Sequence, residues 1–450
     1  MPEPTESKKH CNLPLRQVCH AGHCRGMSGS PSAEVCVIGD GPVGATLACR
    51  LAAAGIATVV VDRAALPPME HPAFDGRAYA IAAGSRDVLE QAGLWDQLAD
   101  KACPILDIRV TDGRLGRPPS PLFLHFDHSD TGEAAFGHMV EARSLRVALN
   151  AHMRGLPGLR VFAPATAEVE RLDEGAGVRI TGGPTIDCRL VVAAEGRDSP
   201  LRRAAGIPVT QLPYDQTGIV CAVSHERPHH NVALEHFLPA GPFAQLPMSA
   251  SSDALEGGAP NLSAIVWTER TATAQRMLAH EDADFAAAIV RRLGDHLGAV
   301  RVVGRRWSYR LGALHAHRYF GTRLALVGDA AHTIHPVAGQ GLNLGFRDAM
   351  TLAELLIAAS GRGEDLGAPE LLRRYQRLRR PDNLLMLAAT DALDRLFSND
   401  NPLLRLARDV GLAAVHRAPS LKRLFMRQAM GAPQSSRGPH RGQELLDVAP

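Results

Sequence analysis

At 450 residues the chain is too long for one ordinary domain and suits two or three, each able to bury its own core. Charged residues make up 21% and apolar residues 45%, as in globular proteins, and a net charge of +2 leaves no footprint for nucleic acid, which is not expected as a partner. Spanning a bilayer takes roughly eighteen consecutive apolar residues; even the stretch 47–61 carries Arg50 and Gly55, which excludes a spanning helix and leaves surface attachment open.

Eight cysteines are scattered without a disulfide framework, and no secretory segment leads into the first strand, which points to a reducing, cytoplasmic setting. Residues 1–32 read as a disordered leader, with Met27 as an alternative start. Cys11, Cys19 and Cys24 beside His20 and His23 match no zinc spacing, and no metal is expected.

From Ala33 a strand over Val35–Ile38 runs into Gly39-x-Gly41-x-x-Gly44, a helix to about Ala54, and a second strand ending on Asp62. The first glycine permits the tight turn, the second lets backbone approach a pyrophosphate, and the third lets helix and strand pack closely; Asp62 stands where a ribose diol is gripped. Arg77 follows in Asp75-Gly76-Arg77 and, if buried, needs an anionic or carbonyl partner. Residues 84–98 carry an apolar helical stripe of Val88, Leu89, Ala92, Trp95 and Leu98. A half-buried strand over 121–128 holds His125 and His128 on an edge; a helix over 141–153 follows, then strands near 159–162, 168–172 and 186–194. The last breaks at Glu195-Gly196 and enters a helix capped by Asp198 or Ser199. Arg143 and Arg202 stand near cofactor-side strand ends and are candidates for neutralising phosphate.

From 211 to 318 the text turns antiparallel, with strands at 217–223, 232–238, 262–268 and 306–312, an interposed helix at 280–298, and a coreless loop at 251–261. A strand at 324–327 then breaks at Gly328-Asp329, crosses a loop with Pro336, Gly339 and Gly341, and re-enters a helix at Leu342. Such a turn cradles a polar cofactor, and N–H groups around Gly339, Gln340 and Gly341 face a developing anion. His332 and His335 are assigned to packing or hydrogen bonding. Helices at 371–380 and 384–397 carry Arg373, Arg374, Arg377, Arg379 and Arg380, and further helical text to 430 carries Lys422, Arg423 and Arg427, a basic face suited to an anionic membrane or to solvent.

Three stretches, Gly39 to Gly44 with Asp62, the strand end at Glu195-Gly196, and Gly328-Asp329 with its Gly/Pro loop, in this order and spacing resemble the class A flavoprotein monooxygenases, and within them the ubiquinone-biosynthesis hydroxylases of the 2-polyprenylphenol and 2-polyprenyl-6-methoxyphenol type. The resemblance covers roughly Glu34 to Met430 and extends to 214–220, 235–247 and 390–397. It implies an α/β fold with a Rossmann-like, glutathione-reductase-like FAD-binding domain made of 33–105, 139–210 and 319–380. A mixed, mostly antiparallel substrate domain of 106–138 and 211–318, C-terminal helices at 381–430 and a disordered tail at 431–450 complete the expected division. It implies FAD held by Gly39, Gly41, Gly44, Asp62, Arg63, Arg77, Arg143, Glu195, Asp329, Gly341, Leu342 and Asn343. Arg77, Pro336, Gly339, Gln340 and Gly341 are implied to stand at the reacting ring. The family motif has aspartate where this chain has Glu195, which reaches one methylene further.

The function so implied is hydroxylation of a polyprenylated phenol by FAD, NADH or NADPH, and O2, through a C4a-hydroperoxyflavin. Implied partners are a ubiquinone-biosynthesis complex and the cytoplasmic face of the inner membrane. The alternatives are a hydroxylase for small soluble aromatics, a related polyprenyl reductase, and a non-catalytic FAD-bound scaffold.

Overall fold

The computed structural model describes residues 32–65, 75–113, 115, 123–249, 261–398, 423, 426, 430 and 431. The leader, nearly all of the loop at 251–261, the C-terminal text around Lys422 and Arg427, and the tail lie outside them.

β1 (Val35–Ile38), α1 (Pro42–Ala53) and β2 (Thr58–Val61) form a βαβ unit in which β1 and β2 pair in parallel. Every residue of β2 is buried, as expected of a strand covered on both faces. β3 (Ala78–Ala82) leads directly into α2 (Ala83–Gln91), and β4 (Cys103–Ile105) and β7 (Gly137–Glu141) join β3 in a small antiparallel sheet. Between them β5 (Asp107–Asp112) and β6 (Leu124–Asp127) leave for another sheet. α3 (Ala142–Gly155) and β8 (Leu159–Phe162) return to the parallel layer beside β2. β9 (Ala167–Arg171), β10 (Ala176–Ile180) and β11 (Thr185–Cys188) make an antiparallel meander, after which β12 (Leu190–Ala193) pairs with β1 and α4 (Pro200–Ala204) follows.

The second large sheet takes β13 (Val209–His225), β14 (Val232–Leu238), β15 (Gly241–Met248), β16 (Asn261–Arg270) and β17 (Val300–Ala316), with α5 (Thr271–Leu278) and α6 (Asp282–Leu293) packed on one face. Its order is completed by β20 (His332–Thr333) at one edge and by β14, β5 and β6 at the other, giving eight strands. β18 (Phe320–Gly321) and β19 (Leu324–Leu326) finish the six-stranded layer as β18-β19-β12-β1-β2-β8. α7 (Gln340–Gly361) and α8 (Pro369–Phe397) close the chain's described part. One core surrounds the parallel layer, with Val37, Val60, Val192, Leu326, Leu47 and Leu352 in it; another lies under α6, built on Ile219, Phe243, Trp267 and Phe285.

Three expectations are corrected. The strand at 186–194 is two strands: 185–188 alternates exposed and buried residues in the meander, whereas Leu190–Ala193 is buried throughout in the parallel layer, and exposed Arg189 marks the switch. The helix at 280–298 is shorter, stopping at Leu293 because Gly294 adopts φ +79°. The helices at 371–380 and 384–397 are one helix of 29 residues containing Pro381. Proline costs helix stability on the order of 3 kcal/mol, and buried polar contacts of Arg379 and Asn383 on either side of it hold the helix through the defect.

Candidate active site

The glycine turn after β1 is built for close approach. Gly39 sits at φ +105°, and a β-carbon there would collide with the Ala194 carbonyl, while one on Gly44 would strike the Gly39 carbonyl. Gly41 differs: a β-carbon there meets nothing within 4 Å. Gly41 also caps α1 without a side-chain hydrogen bond, and the first turn holds no acid, so the helix N-terminus keeps its free N–H groups for an anion.

Asp62 follows β2 and accepts from the Asp40 N–H at 2.8 Å and the Ala64 N–H at 2.7 Å, which anchors the carboxylate beside the turn. Arg63, next to it, is exposed. Asp40, inside the turn, is 1% exposed, and burial, then the neighbouring Asp62, push its carboxyl up to about 7. Arg146 on α3 reaches the Asp40 carbonyl and lies 3.4 Å from its carboxylate. Arg143, one turn earlier on the same helix, has a buried Nε with no partner.

Glu195 does not reach toward the cradle. Its carboxylate accepts from Ser199 Oγ at 2.5 Å and from the Leu201 N–H at 3.3 Å, while Ser199 caps α4 by accepting from the Arg202 N–H at 3.1 Å. The extra methylene therefore serves the helix start. Arg202 is buried and donates to the carbonyls of Ala330 and Arg197, both at 2.8 Å, so it braces the Gly328 turn and is not available to a phosphate.

That turn presents Asp329. Its side chain is reached by solvent, yet protein crowds it enough that burial raises its carboxyl above the usual range, against the pull of His332 and Arg197. Asp329 has no hydrogen-bond partner among the described residues. Behind it, Asp348 of α7 is fully buried and accepts from the Gly328 N–H at 3.1 Å, Arg379 Nε at 2.8 Å and Asn383 Nδ2 at 3.0 Å, and pairs with His332 Nε2 at 2.6 Å. Burial alone would raise this carboxyl; His332 and Arg379 outweigh it and hold Asp348 well below the usual carboxylate range. His335 is bonded to Gln216 Oε1 at 3.1 Å, and burial lowers its pKa.

Pro336 precedes a single 3-10 turn, Val337–Gly339, and Gly339 at φ +62° starts α7 with no side-chain cap and no acid in the first turn. Gly341, like Gly41, has open space where a β-carbon would stand. Gln340 is buried and Leu342 half-buried. Asn343 is spent structurally: its amide donates to the carbonyls of Ala80 and Gly339 and accepts from the Ala82 N–H, all within 3.0 Å, stitching β3 to the helix. Arg77 pairs with Asp75 at 2.6 Å and stacks on Trp307, its guanidinium 4.3 Å from the ring centroid.

The matching family profile is that of an FAD binding domain, over residues 32–389. The chain is 50% identical to the ubiquinone hydroxylase UbiL of Rhodospirillum rubrum over 400 residues, covering 89% of this chain and 90% of that one. It is 32% identical to the 3-demethoxyubiquinol 3-hydroxylase of Escherichia coli, covering 90% of this chain and all of that one. The p-nitrophenol 4-monooxygenase PnpA of Pseudomonas putida shares the fold at a TM-score of 0.71 and 20% identity, covering 90% of this chain and 100% of that one. The chain belongs to the class A flavoprotein ubiquinone-hydroxylase family. As a member it is an FAD-dependent, hydroxylating enzyme.

The residues present fit FAD. Gly41 leaves room for a diphosphate at an uncapped helix start, Arg143 offers an unpartnered buried donor, and Asp329 offers an acceptor with no hydrogen-bond partner among the described residues. Bound FAD supplies the redox chemistry, accepting hydride and passing one oxygen atom from O2 to the substrate. The protein's part would be to orient it: Asp62 and Asp329 would hold sugar and ribityl hydroxyls, and the two helix starts would hold anionic groups. Residues that the sequence reading passed over are Asp40, Arg146 and Asp348. Asp40 was legible as the acid within the glycine turn; Arg146 and Asp348 carry no local signal.

Proposed function

We propose that this flavoenzyme hydroxylates a polyprenylated phenol or methoxyphenol in ubiquinone biosynthesis, using NADH or NADPH and O2. The supporting observation is an apolar face on the side of the eight-stranded sheet that meets the flavin turn. On the far face Ile219, Cys221 and Ile265 are 0% exposed, while their strand neighbours Val220 and Val266, together with Leu246, stay half-exposed in the middle of the sheet. Val337 of the turn packs in one cluster with Leu124, Phe237 and Phe397, which roofs this face. In this reading residues 33–105, 139–210 and 319–380 carry FAD, 106–138 and 211–318 carry the substrate, and the C-terminal helices lie beside the opening.

Among the described residues no helix is long and apolar enough to cross a membrane. α8 nevertheless exposes Leu378, Leu385, Leu393 and Leu396, spaced so that they share one stripe, with exposed Arg373 and Arg377 nearby. Arg379 is excluded from that basic face by its buried bond to Asp348. The stripe is the surface by which the enzyme would lie on an anionic membrane and take up a prenylated ring. Salt-sensitive binding to anionic liposomes is expected, and no binding at low salt would refute this part.

The function is tested by profiling quinone intermediates in a deletion strain. One phenolic precursor lacking a ring oxygen should accumulate and disappear on complementation. Normal ubiquinone with no accumulating precursor would reject the role.

A further inference from the structure

On this face of the eight-stranded sheet Glu235 is an acid whose position no contact among the described residues explains. Strand pairing sets Leu124, Val110, Glu235, Ala244, Val266, Val220 and Trp307 side by side across β6, β5, β14, β15, β16, β13 and β17. Glu235 is the only ionisable residue in this row. It shares its face with Ala233 and Phe237, two residues to either side, whereas Leu234 and Leu238 belong to the core beneath α6. Phe237 in turn packs with Val337, so the turn at 336–339 closes over the sheet beside Glu235. At the other end of the row Trp307 carries Arg77.

We infer that Glu235 is the base that takes the hydroxyl proton of the phenolic substrate, an inference that rests on the hydroxylase reading above. The phenol O–H bond breaks, the proton bonds to a carboxylate oxygen of Glu235, and the electron pair stays on the phenolate oxygen. That pair raises electron density at the ring carbons ortho and para to it, where an electron-poor oxygen is to be accepted. The step changes no oxidation state, and it leaves a neutral carboxyl beside the phenolate, so the two groups do not repel. Glu235 is free for this work: it has no hydrogen bond or ion pair with any described residue. The other basic groups near the turn are engaged, His332 with Asp348 and His335 with Gln216.

The electrostatics agree with the geometry. Glu235 is only half-buried by surface, yet burial pushes its carboxyl up to about 7. Among the described residues no charge opposes this. β15 presents no ionisable group, β6 presents Leu124 and Phe126, the turn presents Val337, and β5 presents Asp112 one same-face position beyond Val110. A base with a pKa near the working pH is suited to proton removal at neutrality.

The test uses the full-length FAD-loaded enzyme and a short-chain 2-prenylphenol. Wild-type kcat/KM for hydroxylation should rise with pH through about 7 and then level. Glu235→Gln should lower it about 10²–10⁴-fold and abolish that limb, Glu235→Asp should keep the limb, and both should bind FAD as tightly as wild type. Flavin fluorescence gives a readout independent of turnover: wild type should bind the phenol about tenfold or more tighter than its methyl ether above pH 7, and Glu235→Leu should bind the two alike. A wild-type profile flat through pH 7, or a Glu235→Gln variant with wild-type rate and pH dependence, overturns the role of Glu235 while leaving the hydroxylase reading intact. A wild type that hydroxylates no phenol overturns both.

Discussion

Replacing Asp348 by asparagine probes how the cofactor turn is held. The carboxylate is 0% exposed and takes four partners between 2.6 and 3.1 Å, two of them cationic or able to become so. An amide presents one oxygen and an NH2, so it cannot accept from all four, and its donors face donors. Breaking a buried ion pair by removing one partner costs roughly 3–5 kcal/mol. Arg379 retains Asp382 at 2.8 Å and Asn383 Oδ1 at 2.9 Å, which places the expected loss at about 3 kcal/mol, the lower end. Because the Gly328 N–H also loses its charged acceptor, the turn bearing Asp329 loosens and FAD affinity falls. Urea unfolding of the apo protein and fluorescence titration with FAD measure the two effects. The sign with pH follows: a carboxyl held below its ordinary pKa stabilises the fold above that value and ceases to do so as pH falls below about 4. The gap between variant and wild type should thus be full at pH 7 and shrink in acid. A loss under about 1 kcal/mol at pH 7 with unchanged FAD affinity would rule out this role for Asp348.

Other consequences are as direct. Gly41→Ala meets no protein atom and should leave apo stability nearly unchanged while lowering FAD affinity at least about tenfold, whereas Gly44→Ala collides with the Gly39 carbonyl and should destabilise the fold itself; thermal melts and FAD titration separate the two. Asp40, with its carboxyl raised to about 7, favours the fold when protonated, so its contribution is present below pH 3.8 and lost as pH rises through 7. Apo stability should fall across that window by up to about 1.4 kcal/mol per pH unit, and Asp40→Asn should flatten the slope. Glu195→Asp, restoring the family acid, withdraws the carboxylate from Ser199 and Leu201 and should cost about 1 kcal/mol in urea unfolding; an unchanged midpoint would show that the cap does not matter.

The parts of the fold legible in the sequence are those whose physics is local. The turn at 39–44 announces itself because its glycines answer to backbone geometry within six positions, and the uncapped start of α7 is marked by Gly339 and Gly341 in the same way. β15 was not read as a strand because Pro242 and Pro247 remove ladder donors, and only its place between β14 and β16 makes it one. Pro381 misled in the opposite direction, because the contacts that carry the helix past it come from Asp348, 31 and 35 residues away from its partners. The break at Arg189 was available in the text, where alternation in 185–188 gives way to a continuous apolar run. Glu235 lies in an ordinary strand pattern, and nothing in its neighbours along the chain tells that the sheet face it occupies is apolar and roofed by Val337.

The most direct test of the central claim is mass spectrometry of the product formed from a short-chain 2-prenylphenol by the FAD-loaded enzyme with NADH or NADPH under ¹⁸O₂. One added oxygen, carrying the label, is expected, with no product when FAD is withheld. Oxidation of the reductant without oxygen incorporation, or incorporation from water, would contradict it.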